Sequence, residues 1–117
     1  MQSSEKIKNY VECVSIKKNE LLNYINIPNL HKISTLSQDI DYIIKKIFKT
    51  YRKLSNKKIF EKNISIIYIL RLKEIIKTMH NFLNQIYLND NNIKNIVENG
   101  RNKLDNYLEV IEFILDL

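Results

Sequence analysis

Glycine and proline occur once each in 117 residues, too rarely to supply the tight turns that a many-stranded sheet requires. Helices with short connections are what this scarcity leaves. A lone cysteine, Cys13, excludes an intramolecular disulfide and reads as an incidental buried thiol or the mark of a reducing compartment. A single glycine rules out a Gly-rich phosphate loop, and no serine stands in a nucleophile-elbow context. Long apolar runs are missing too. Charges such as Arg71, Lys73, Glu74 and Lys77 interrupt the most apolar stretch, well short of the roughly 18 residues of a membrane span. The N-terminus MQSSEKIKNYVE lacks the apolar core of a signal peptide. The expectation is a soluble, cytoplasmic or intracellular protein without transmembrane insertion.

Alanine and tryptophan are absent, while Ile, Asn and Lys together make up 53 of the 117 residues. Such a composition matches a chain encoded by an AT-rich genome. It discounts the net charge of +6 as a functional signal, because Lys supplies 16 of the 19 basic residues. The length fits one domain over residues 1–117, large enough to bury a core without disulfide or metal staples.

Apolar spacing predicts an all-α fold, a four-helix up-down-up-down bundle with helices over roughly 4–26, 35–54, 58–88 and 91–115. Ser3 or Ser4 caps the first helix and Pro28 ends its run. Ser34 or Ser37 caps the second, and Asn89 to Asn92 forms the turn before the fourth. The third begins somewhere between Lys57 and Asn63. Gly100 falls on the apolar stripe of the fourth helix, which implies either a close neighbour or a bend. In this topology the second and fourth helices are diagonal, so their outer faces point apart.

Catalytic constellations are not seen. His31 and His80 have no Cys or HxxxH-type partner, and Glu74 projects away from His80. No acidic residue forms an ExxH pair of the di-iron type. The expectation is a protein that is not an enzyme, with no catalytic residue, metal ligand or cofactor.

Two features bear on function. Residues 32–62 hold nine basic and three acidic side chains, whereas residues 89–117 hold six acidic and three basic. On the second helix Lys45, Lys46, Lys49, Arg52 and Lys53 share about 120° of surface opposite the apolar stripe. That face suits an anionic partner, although a solvated lysine face in a Lys-biased chain accounts for it equally simply. With one Arg among lysines and no interleaved aromatic platform, any nucleic acid bound there is contacted through backbone phosphates.

The second feature is the start of the third helix, where Ile66, Ile67 and Leu70 project away from the core arc that runs from Leu72 to Ile86. An end that is apolar all round must be covered. The chain's own linker, with Ile27, Leu30 and Ile33, or the segment Ile59-Phe60 could do so; otherwise a partner does, and Phe113 on the fourth helix is a lesser anchor of the same kind. The leading expectation is therefore a non-enzymatic helical protein-protein interaction module, homodimeric or binding another protein, through Ile66, Ile67, Leu70 and Phe113. The alternative is a nucleic-acid-associated accessory protein using the lysine face. A third is a small cytosolic immunity-type or membrane-surface protein using that face on anionic lipid.

Overall fold

The computed structural model describes residues 2–24, 29–54, 56–85 and 91–116. The fold is all-α, with four helices, α1 (Ser3–Leu22), α2 (Leu30–Arg52), α3 (Ile59–Gln85) and α4 (Asn91–Asp116), and a short 3-10 turn at Asn56–Lys58. No strand occurs among the described residues. The β-branched run Ile64, Ile66, Ile67, Ile69 is helical, because the 3.6-residue apolar spacing that continues beyond it outweighs the local preference of Ile for strands.

Helix boundaries depart from expectation where a different residue makes the cap. Asn29 in extended conformation starts α2, its Oδ1 accepting the Lys32 N–H at 3.1 Å. Asn caps as well as Ser, so α2 begins five residues before the expected 35, and Ser34 and Ser37 lie inside it. α1 starts after Gln2 without a side-chain cap from its own sequence. Ser3 and Ser4 are not caps; the Ser4 N–H donates to Glu61 Oε1 of α3 at 3.5 Å, so a first-turn donor is met from across the bundle. α1 closes at Leu22 rather than 26 through tightened bonds, Asn23 N–H to the Glu20 carbonyl and Tyr24 N–H to the Leu21 carbonyl, both 3.1 Å. α3 begins at Ile59, placing Ile59 and Phe60 on the helix itself. Pro28, Ser55, the turn at Asn89-Asp90 and the expected extension of the third helix from 86 to 88 lie outside the described residues.

The core is one cluster, built from Ile7, Val11 and Val14 of α1, Ile40, Ile44 and Ile47 of α2, Ile69, Leu72 and Ile76 of α3, and Val97, Leu104 and Ile111 of α4. Neighbour relations follow from specific contacts. Lys17 meets Asp39, and Lys46 lies over Tyr10, so α1 and α2 run antiparallel. Ser4 meets Glu61, and Glu12 meets Arg71, so α1 and α3 run side by side in the same direction. Lys73 pairs with Glu112 and His80 with Asp105, so α3 and α4 are antiparallel.

α2 and α4 are not diagonal. They pack on each other, Phe48 against Tyr107, and α2 and α3 share no comparable seam among the described residues. α1 stands between α2 and α3, with Ser4, Ile7, Val11, Val14 and Leu21 buried along its length. The turn at Asn56–Lys58 carries the chain past it to the far corner. Short loops therefore joined α1 to α2 as neighbours, but not α2 to α3.

Gly100 marks a close approach: a Cβ there would lie 3.2 Å from Leu83 Cδ1 of α3, and α4 stays helical through it.

Candidate interaction surfaces

The outward face of α3 carries apolar side chains that none of the described residues covers. Ile67 is 63% exposed and Leu70 45%, and they are joined by Ile59 at 62% and Phe60 at 77%. Ile66 is half-buried on the flank. At 100° per residue Ile59, Leu70, Ile67 and Phe60 fall within about 100° of arc, a stripe some 16 Å long at 1.5 Å per residue. Ile59 and Phe60 do not cover Ile67 and Leu70; they lengthen the stripe. Leu30 and Ile33 cannot reach it either. The Lys17–Asp39 and Tyr10–Lys46 contacts put the start of α2 at the opposite end of the molecule, a dozen or more residues away, about 20 Å along the helix. Ile27 lies outside the described residues.

Ion pairs frame this stripe. Arg71 meets Glu12 at 3.9 Å on the α1 side, and Lys73 meets Glu112 on the α4 side. Lys58–Glu61 at 3.9 Å and Lys77–Glu74 at 3.8 Å close its two ends. Exposed pairs of this kind add little stability. Their effect is to give an apolar strip a polar rim, the anatomy of a protein-protein contact. The Glu112 carboxyl is held below its ordinary 4.5 by the hydrogen bond from Lys73, then by the charges of Lys73 and Lys77.

The lysine face of α2 is divided by its own neighbours. Lys45 is taken by Asp41 at 3.0 Å. The Lys46 ammonium lies 4.4 Å from the Tyr42 ring centroid and 5.9 Å from that of Tyr10, a cation-π arrangement. Interaction with the Tyr42 side chain holds its pKa above the ordinary 10.5. Lys49, Arg52 and Lys53 are exposed, and no carboxylate pairs with them among the described residues. Their free cations continue round the corner to Lys57.

Phe113, 66% exposed, shares an open groove of about 470 Å³ with Arg52, between the last turns of α2 and α4. Two residues that the sequence assigned to separate surfaces are thus brought together. Leu54 and Ile114 form its apolar floor, and Lys62 of α3 closes one side.

Of the residues with chemical potential, His80 is engaged structurally. His80 Nε2 lies 3.1 Å from Asp105 Oδ1, and its Nδ1 lies 3.3 Å from Asn84 Nδ2. A neutral ring accepting from Asn84 carries its hydrogen on Nε2, toward Asp105. Asp105 is a partner from α4 that local spacing could not announce. His31 is exposed on the first turn of α2. Cys13 is a half-buried free thiol. No cluster of His, Cys, Asp and Glu suited to a metal occurs among the described residues, and no helix there is long and apolar enough to cross a membrane.

No protein-family model, curated protein or solved structure matches this chain. Its function has to be argued from its own surfaces.

Proposed function

We propose that the protein is a non-enzymatic helical interaction module that docks another protein on the outward stripe of α3. The observation that carries this reading is the exposure of Ile59, Phe60, Ile67 and Leu70 along one helix face, inside a polar rim. Single exposed apolar residues are ordinary on any surface, whereas four on one helix face, grouped in two pairs about the exposed Asn63 and rimmed by charge, favour a contact. Each rim cation, Arg71, Lys73 and Lys77, is paired with a carboxylate, Glu12, Glu112 and Glu74, so the rim is balanced in charge and suits a partner that presents both signs beside its apolar anchors.

The test is the double substitution Ile67→Glu with Leu70→Glu. It is expected to leave thermal stability close to that of the parent and to abolish capture of a partner that the parent retains. Loss of folding would show the stripe to be internal core, and an unchanged set of captured proteins would remove it as a docking surface.

Lys49, Arg52 and Lys53 carry a second reading, an edge that contacts nucleic-acid phosphates. Fluorescence anisotropy with duplex and single-stranded oligonucleotides over a salt series checks it, since phosphate binding must weaken steeply as salt rises. Absence of binding at low salt removes it.

A further inference from the structure

The outward stripe of α3 is spaced for one kind of neighbour. Phe60, Asn63, Ile67, Leu70, Glu74 and Lys77 follow one another at alternating intervals of three and four residues, the spacing with which two helices mesh side chains along a shared seam. Phe60, Ile67 and Leu70 are exposed apolar knobs on this seam, and the exposed Asn63 is the polar residue between them. Ile64 and Ile66, both half-buried, lie on its two flanks.

This pattern matches its own reverse. Residues 60 and 70 have the same midpoint in the chain as residues 63 and 67. With a second α3 laid antiparallel, Phe60 therefore lies opposite the partner's Leu70 and Asn63 opposite the partner's Ile67, and each pairing forms twice in a single register. The twofold axis passes between them, and there Ile66 meets the partner's Ile66 on one flank and Ile64 the partner's Ile64 on the other. A polar Asn beside the axis costs some stability and fixes register.

The charges admit a like copy. The rim of ion pairs presents both signs beside apolar anchors, which is what the stripe asks of its partner. Antiparallel packing also brings Glu74 level with the partner's Lys57, an exposed cation without a carboxylate partner among the described residues. Arg71, near the same turn, is already paired with Glu12.

We propose that the partner on the α3 stripe is a second copy of this chain, packed α3 against α3 in an antiparallel twofold dimer. This rests on the reading of the stripe as a docking surface and names its occupant. Four large apolar side chains per copy make a small interface, so the dissociation constant is expected on the order of 10 µM. A net charge of +6 on each copy opposes association at long range. Added salt screens that repulsion and tightens the dimer, whereas it weakens the docking of an acidic partner on a basic chain.

The experiment is sedimentation equilibrium of the full chain over a hundredfold concentration range about that value. The expected result is a monomer–dimer equilibrium that tightens several-fold from low salt to about 0.15 M. Leu70→Glu should weaken it at least about tenfold, with helical circular dichroism unchanged. Orientation is read by mild oxidation in a Cys13→Ser background. Ile66→Cys, beside the axis, should give a disulfide-linked dimer, and Glu74→Cys, roughly 27 Å from its counterpart, should not. Cross-linking through Glu74→Cys indicates parallel helices and overturns the proposal, as does a dimer that survives Leu70→Glu. A chain that stays monomeric throughout overturns it too. If Ile67→Glu with Leu70→Glu then still abolishes capture of a different protein, the stripe remains a docking surface and only its occupant is wrong; if capture is unchanged, both readings fall.

Discussion

Tyr107 and Gly100 line the same small recess in the middle of the molecule, and each makes a prediction that runs against habit. Removing a hydroxyl from a buried tyrosine usually costs stability. Here the hydroxyl has no partner, so Tyr107→Phe should stabilise the free protein by about 1 kcal/mol, roughly 4 °C in Tm for a domain of this size. Differential scanning calorimetry checks it. Gly100→Ala should also stabilise, by less than the roughly 1 kcal/mol that alanine gains over glycine in a helix interior. The new methyl group meets only the end of Leu83 at 3.2 Å, and the recess beside Leu83 and Gly100 gives that side chain room to move. Gly100 could be picked out from the sequence because glycine at a core position of a helix is an anomaly in itself. Tyr107 could not, because its lack of a partner depends on what α2 places opposite.

Among the elements, α3 carries the sharpest contrast. Ile69 is 0% exposed and Ile67 is 63% exposed, two residues apart on the same helix. Ile69→Ala should cost about 3 kcal/mol, while Ile67→Ala should change stability by less than about 0.5 kcal/mol; chemical denaturation of the two variants checks both. The angular pattern of the sequence already separated Ile67 and Leu70 from the core arc. It missed Ile59 and Phe60 because the start of α3 was undecided between Lys57 and Asn63, and nothing local distinguishes a helix start there from a separate turn. The start of α2 was misplaced for a related reason: several residues in a row could cap, and Asn29 prevails over the serines that follow.

The Lys73–Glu112 pair ties α3 to α4 with a stated pH dependence. Its carboxyl is depressed in the folded state, so its contribution is present above the ordinary value of 4.5 and is lost as pH falls through the lower folded value. Glu112→Gln should therefore be less stable than the parent near neutrality, with the gap closing below about pH 4.5. Thermal melts of both proteins over an acid series test it.

At the scale of the molecule, helix number and class were legible because they depend on periodicity, whereas the order of neighbours was not. Whether α2 lies beside α3 or beside α4 depends on how the apolar faces of all four helices fit against one another. That is a comparison between elements and not a property of any one of them. α1 is packed against both α2 and α3, while α4 is held by α3 and by the Phe48–Tyr107 seam. Hydrogen exchange should accordingly show amides of α4 opening before those of α1 and α3. The parallel contact of α1 with α3 has a further consequence. α1 with α2, and α3 with α4, are two helical hairpins laid together like the covers of a book, with α1 and α3 as its spine and the Phe48–Tyr107 contact between α2 and α4 closing its outer edge. Loss of the Phe48–Tyr107 contact would therefore loosen that edge while leaving the pairing inside each hairpin untouched.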